Sequence, residues 1–495
     1  GPDKMPCRQR PAGGFVAVVT KQIEAGRALA DIYPARFCTL CRKEDAMSKQ
    51  RIQLSDHFTY SRLLRFVLPC IGTMLFTSIY GIVDGLCVSN FVGKTAFAAV
   101  NLIMPLPMLL GTIGFMLGTG GSAIVGITLG EGDQKKADRY FTLFLLAALV
   151  SVSVLAVLGI VFLRPIAVLL GAKGELLDYA VRYGRILMVS LPTFALQNMF
   201  QSFFVTAEKP HLGFWFTVGA GCTNMVLDVL MVGIWGWGVE GAAIATFISQ
   251  LVGGVLPVFY FIDRSNSSRL HLCKTSFYSK VLRDACINGS SELMTNLSMS
   301  LVNILYNYQL LRLAGENGVA AYGVIMYAAF LFVAVFVGYA VGSAPIVSFH
   351  YGARNHAEVH NLYRKSLRLI AVVAVTLTLA SMFIIPCVAR IFVGYDAELL
   401  ALTSRAFRLY ALSFLIMGFN VYASSFFTAL GDGVTSALIS FLRTLAFQVI
   451  AILLLPLLLG IDGIWLAVTA AELAALAVSA AMLLTKDKVF HYRKA

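Results

Sequence analysis

Charge is scarce in this chain: of 495 residues only 13% are Asp, Glu, Lys or Arg, while 58% are hydrophobic. Soluble domains carry about 25% charge and about 45–50% apolar residues, so a water-soluble enzyme or binding module is excluded. Cysteine gives no framework either. There are nine, an odd set, and Cys70, Cys87, Cys222 and Cys387 fall inside apolar stretches, where they pack as small hydrophobes. Cys38 and Cys41 form a lone CxxC with no second ligand pair, too little for a metal site. The phosphate loop GxxxxGK[ST] is missing, so ATP does not drive this protein directly, and HExxH is missing too. No nucleophile and base pair can be assembled, which argues against an enzyme and against a resident cofactor. The first 46 residues have no continuous apolar core of a signal peptide, so 1–46 reads as a leader or disordered segment and Met47 as a natural start.

Long apolar runs are abundant. Twelve occur, near 63–91, 97–127, 141–163, 179–206, 212–234, 239–261, 285–311, 319–349, 369–389, 399–429, 434–459 and 463–485. Each is long enough to cross about 30 Å of hydrocarbon as a helix. The net charge of +13 does not imply nucleic acid, because Lys and Arg alternate between loops instead of gathering on one face. Their excess lies on the side of both termini, which the positive-inside rule places in the cytoplasm. The stretch LSDHFTYSRLLRF predicts a helix capped by Ser55 or Asp56, amphipathic and lying on the inner surface among membrane lipids. His350, His356 and His360 fall in an inner loop, which predicts a surface position and not a metal site.

The runs form two copies of one unit, offset by about 222 residues. GGSAIVGITLGEG from Gly120 aligns with GSAPIVSFHYGAR from Gly342. RYGRILMVSLPTFALQNMFQSFF aligns with AFRLYALSFLIMGFNVYASSFF, pairing Arg182 with Arg405 and Arg185 with Arg408. GVEGAAIAT at Gly238 aligns with GIDGIWLAV at Gly460, so Glu240 and Asp462 head corresponding helices. The expected organisation is an N-lobe at 47–262, a cytoplasmic loop at 263–280, a C-lobe at 281–485 and a cytoplasmic tail at 486–495. Six spans per copy is an even number, so the repeats are parallel, and such halves rock about a central cavity.

YGIVDGLCVSNFVGKTAFAAVNLIMPLP, TNMVLDVLMVGIWGWGVEGAAIAT, SFHYGARN and LISFLRTLAFQVIAILLLP, in this order, resemble the multidrug and toxic compound extrusion (MATE) family, and most of all its bacterial MepA-like branch. The resemblance runs from about residue 47 to the end. It implies an all-α integral membrane protein with 12 transmembrane helices in two pseudo-symmetric lobes. It also implies a bacterial inner-membrane antiporter, working as a monomer, that expels organic cations in exchange for H+ or Na+. A flippase for lipid-linked precursors, or a metabolite exporter of related fold, is the alternative.

Buried polar residues single out a site. Asp84 aligns with Tyr306, and Asn224 and Asp228 align with Ala446 and the Ile450–Ala451 pair, so only the first copy keeps the acids. An ionised Asp at mid-bilayer costs about 2.5–3.5 kcal/mol, so such residues normally face inward and work, although structural hydrogen bonding is the plainer reading. Asn224 and Asp228, four apart, share a helix face, and Thr246 can add a hydroxyl. Asp84, Asn224, Asp228 and Thr246 match the family's N-lobe ion site residue by residue. One charge moved through about 100 mV yields about 2.3 kcal/mol. One pH unit adds about 1.4 kcal/mol, enough together for a roughly several-hundredfold gradient of a neutral substrate.

Other residues carry weaker signals. Pro69 breaks the hydrogen-bond ladder of the first helix, as a hinge or as a static kink. Glu292, Asn303, Asn307, Tyr80, Phe200 and Tyr339 are candidates for a substrate cavity, with ordinary packing as the alternative. Arg443 and Glu472 read as an interhelical ion pair before a substrate contact.

Overall fold

Helix follows helix from Tyr60 onward, and no strand occurs among the described residues, which in the computed structural model are 52–92, 94–394 and 396–492. The leader at 1–46, with Cys38 and Cys41, and Met47 lie outside them. In chain order the helices are α1 (Tyr60–Phe91), α2 (Lys94–Ile103), α3 (Pro105–Gly130), α4 (Gln134–Leu169), α5 (Glu175–Thr206), α6 (Pro210–Asp228), α7 (Gly238–Gly254) and α8 (Leu256–Ile262). There follow α9 (Ser279–Asn288), α10 (Ser290–Gly352), α11 (His356–Val393), α12 (Ala397–Ala411), α13 (Phe414–Ala429), α14 (Gly433–Phe441), α15 (Phe447–Leu459), α16 (Ile461–Thr485) and α17 (Asp487–Phe490). Two π-helical turns, Val229–Ile234 and Leu442–Ala446, continue α6 and α14.

Among the described residues, nine helical stretches are long and apolar enough to cross a bilayer, or ten if α12 and α13, bent by 46°, form one span. The sequence leads to an expectation of twelve, and the difference has physical causes. The run at 179–206 lies in α5, a 32-residue helix that opens with Glu175 and Asp178 and holds Gln197 and Asn198 buried in its second half. These polar residues, two of them buried in the fold, lower its apolar content without shortening it. The run at 285–311 begins in α9 and continues, like the run at 319–349, in α10, which extends over 63 residues. At 1.5 Å per residue that is about 95 Å, three times the hydrocarbon thickness. Gly315, at φ 61 and ψ −151, breaks it into two helices across a kink. Such a positive φ is open mainly to glycine.

The internal repeat is visible in the backbone. Asp133 (φ −93, ψ 78) caps α4 by accepting from Lys136 N, and its counterpart Asn355 (φ −87, ψ 73) caps α11 by accepting from Glu358 N. Glu208 and Arg354 take positive φ of 61° and 55°, and the other copy has Gly431 and Gly132 there, at 81° and 88°. The same ion pair recurs as well, Arg182 with Glu240 at 3.7 Å and Arg405 with Asp462.

The two copies meet where α10 packs against α1 and α3. A Cβ on Gly130 would stand 2.0 Å from the Phe349 carbonyl, and one on Gly352 would stand 2.1 Å from the Ile127 carbonyl. The two backbones touch here, and any side chain would part them.

Two expectations at this end are corrected. Residues 54–59 form a turn and an extended segment, with no separate amphipathic helix; α1 starts at Tyr60 and runs straight on. Phe58 explains this, because its N–H donates to Glu358 Oε1 at 2.8 Å and its carbonyl accepts from Lys365 Nζ at 2.6 Å. Partners about 300 residues away satisfy the backbone in place of a helical turn. His350 lies in the last turn of α10, only 2% exposed, edge-on to the Phe58 ring at 6.4 Å.

Candidate functional site

α6 begins at Pro210, whose fixed φ suits a first turn, and packs along α1. Gly221, Asn224 and Asp228 share one face of α6 by their i, i+3 and i+7 spacing, and Phe76, Tyr80 and Asp84 share one face of α1 at intervals of four. Gly221 lets the faces close up. A Cβ there would stand 2.5 Å from the Phe76 ring and 3.1 Å from that of Tyr80.

Further along the same seam, the carboxyl groups of Asp84 and Asp228 come within hydrogen-bonding reach of each other. Asp228 is 0% and Asn224 2% exposed. Both Asp228 oxygens, Asp84 Oδ1 and Asn224 Nδ2 are buried without a hydrogen-bond partner among the described residues. Two ionised carboxylates can only accept and repel each other at this distance, whereas one proton makes a donor and an acceptor of them. Directly after Asp228 the helix loosens into the π turn, with Trp235 N donating to Leu230 O at 2.8 Å. Such turns are frequent at functional sites.

Tyr183, on α5 and 1% exposed, lies within electrostatic reach of both acids, and Tyr80 within reach of Asp84. Tyr183 escapes sequence reasoning because nothing in RYGRILMV sets it apart from a packed aromatic. Thr246, on α7 and half-buried, is joined to none of Asp84, Asn224 or Asp228 by a hydrogen bond among the described residues. Pro69 sits inside α1, buried, and its carbonyl accepts from Thr73 Oγ1 at 2.9 Å.

A second polar cluster lies in the other copy. A cavity with about 730 Å3 of free space, counting its open side, is lined by Asn303, Tyr306, Tyr322, Tyr410, Arg443 and Glu472 among others. The Tyr306 and Tyr322 rings stack at 4.9 Å and 13°, and Tyr322 donates to Asn303 Oδ1 at 2.6 Å. Arg443 Nη1 donates to Glu472 Oε1 at 3.3 Å, and Asn420 Nδ2 donates to Glu472 Oε2 at 2.7 Å. Glu292, near the start of α10, is not among the residues that line the cavity, although it lies within electrostatic reach of Arg443. Tyr306, Tyr322 and Tyr410 were not singled out for the cavity from the sequence, because each comes from a different helix or from across the Gly315 break.

The remaining candidates sit apart from it. The Asn307 side chain is exposed on α10. Phe200, 1% exposed, stacks on Phe261 at 5.6 Å inside an aromatic core. Tyr339 donates to Ser366 Oγ at 2.7 Å. No group of three or more His, Cys, Asp or Glu among the described residues could hold a metal ion.

A family model, MatE, matches residues 69–230 and matches again at 293–454. The chain belongs to the MATE family. Its two matches start 224 residues apart, at 293 against 69, so the repeat is the family's own unit taken twice. The first MATE unit holds Asp84, Asn224 and Asp228; the second holds Asn303, Tyr306 and Arg443. The chain is 21% identical over 436 residues to the multidrug export protein MepA of Staphylococcus saprophyticus, covering 87% of this chain and 95% of that one. To the MepA of Staphylococcus aureus it is 22% identical over 433 residues, again 87% and 95% of the two chains. Among solved structures, the outward-facing conformation of a multidrug resistance MATE transporter of the MOP superfamily superposes with a TM-score of 0.84 at 22% identity, over 90% of this chain and 99% of that one. The fold is therefore the all-helical, multi-pass membrane fold of the MATE transporters.

Proposed function

We propose that this MATE protein is a secondary active multidrug efflux antiporter of the MepA-like branch. It exports amphipathic organic cations from a bacterial cytoplasm against protons. On this reading the chain crosses the inner membrane twelve times with both termini inside: α5 and the two parts of α10 are spans in their own right, and α12 with α13 is one bent span. The copies form two lobes that rock about the α3–α10 contact in alternating access.

The observation that carries the coupling is the Asp84–Asp228 pair, with three of its four oxygens buried and without a donor. A proton satisfies such a pair, and its loss leaves two repelling charges in a medium that solvates neither. The proton-free pair therefore favours a lobe conformation that admits water or a cation, which is the link between ion and shape. Asn224, one turn before Asp228, adds a polar group to the same face. Tyr80 and Tyr183 border the pair.

Purified protein in liposomes, loaded with a fluorescent organic cation, tests this. An imposed pH gradient should drive uphill movement with sodium absent. Movement that follows an imposed sodium gradient and ignores pH would replace the proton by sodium at the same acids.

A further inference from the structure

We infer that the neighbouring ends of α1 and α11 form a binding site for an anionic phospholipid: Arg364 and Arg368 take its phosphate, and its acyl chains follow the apolar faces that lead away from them. The inference goes beyond the proposed function and does not depend on it.

The two ends are fastened together around Tyr60. Arg368 Nη1 donates to the Tyr60 hydroxyl at 3.4 Å. Lys365 Nζ lies 5.4 Å from the centre of the Tyr60 ring and donates to the Phe58 carbonyl at 2.6 Å. Positive charge collects here with little to oppose it. Arg62 and Arg65 on α1 and Arg364 and Arg368 on α11 are all exposed, and none forms an ion pair among the described residues. Glu358, the one acid of α11, is already taken: it accepts from the Phe58 N–H and from Asn361, and it meets His57 at 2.6 Å. Asp56 lies within electrostatic reach of His350.

The internal repeat supplies a control. With α4 and α11 aligned on their caps, Asp133 and Asn355, the residues Arg364, Lys365 and Arg368 fall opposite Thr142, Leu143 and Leu146. Leu146 is 44% exposed, so at this depth the first copy presents an apolar side chain and the second a guanidinium. The shared scaffold therefore does not require these cations. A cation close to hydrocarbon is costly unless it reaches water or meets an anion. A phosphate suits a guanidinium well, because its oxygens can accept two parallel bonds.

The surface beyond the cations is apolar. On α11, Val372, Val375 and Leu379 continue the exposed face of Arg364 and Arg368 at intervals of three and four, and on α1, Leu64 and Leu68 continue that of Tyr60. Charge and apolar surface thus follow one another in the order of a phospholipid's headgroup and chains, and basic clusters beside a bilayer favour anionic lipids. A free anion would leave the apolar faces unused.

Native mass spectrometry of the full chain, released from detergent with one ligand present at a time, tests this through the first molecule bound. The probes are dioleoyl phosphatidylglycerol, dioleoyl phosphatidylcholine and glycerophosphoglycerol, which is the anionic headgroup without chains. Wild type should hold the phosphatidylglycerol about tenfold more tightly than the phosphatidylcholine and should not retain the headgroup. Arg364→Gln and Arg368→Gln should each lower that preference by about threefold, and the double variant should bring it close to parity. Lys135→Gln combined with Lys136→Gln, which removes two exposed cations from α4, should leave it within about twofold. Thermal melting confirms that each variant is folded, and the comparison of the three probes on wild type decides the matter even where a variant is not. Equal binding of the two lipids by wild type, a preference that survives in the Arg364 and Arg368 double variant, the same loss in the α4 control, or tight binding of the headgroup alone overturns the inference. Transport plays no part in the readout, so the proposed function stands or falls separately.

Discussion

Asp84 on α1 and Asp228 on α6 reach each other through carboxyl groups whose buried oxygens find no donor apart from a proton of their own. An amide in place of one acid would supply the missing donor permanently. Asp84→Asn should therefore melt at the same temperature or higher, by up to about 2 kcal/mol of stability, while uphill transport is lost. Substrate exchange down its own gradient should survive. A variant that melts much earlier would mean that the pair is held together by something other than a shared proton.

The α3–α10 contact leaves no room for a methyl group. Gly130→Ala would put a carbon 2.0 Å from the Phe349 carbonyl. The backbones would have to separate, and the expected loss is about 1–3 kcal/mol, measured as a lower melting temperature in detergent. Gly323→Ala, at a position with open space around its Cβ, should cost far less.

Arg182 and Glu240 pair at 3.7 Å, but their side chains are 62% and 49% exposed. Their recurrence as Arg405 and Asp462 marks repeat geometry, not strength. Glu240→Gln should change stability by less than about 1 kcal/mol and leave transport intact. A large transport defect would assign this pair a part in the cycle.

Glu208 ties three segments together. It accepts from Leu54 N at 2.9 Å and from Arg269 Nη1 at 2.6 Å, and the Arg269 guanidinium lies 5.0 Å above the Phe349 ring. Glu208→Ala leaves the amide and the guanidinium without their acceptor, so a loss of about 1–3 kcal/mol is expected in thermal melting. Arg269→Ala should add little on top of Glu208→Ala, because both remove one network.

Much of this was legible in the sequence, for local reasons. Apolar length reveals a span wherever lipid surrounds the helix, and the gap between the runs at 285–311 and 319–349 holds the break that Gly315 makes in α10. α5 falls short in apolar content because Gln197 and Asn198 lie buried in its second half, a setting that composition cannot see. Acids confined to one copy pointed to Asp84 and Asp228, and the i, i+4 spacing put Asn224 on their face. Residues 54–59 were misread because the local cap signals Ser55 and Asp56 compete with Glu358, which lies far along the chain. Phe200 and Tyr306 show the same limit. Both are aromatic residues in apolar helices, yet one fills a core and the other lines a cavity, and only the packing of other helices decides which.

The central claim is that the Asp84–Asp228 pair carries the proton that drives export. Its most direct measurement follows the pH inside protein-containing liposomes, with a trapped indicator dye, as an organic cation is added outside. Wild type should show proton movement opposite to the cation, and Asp228→Asn, folded and still binding the cation, should show none. Proton movement of undiminished size in Asp228→Asn would contradict the account.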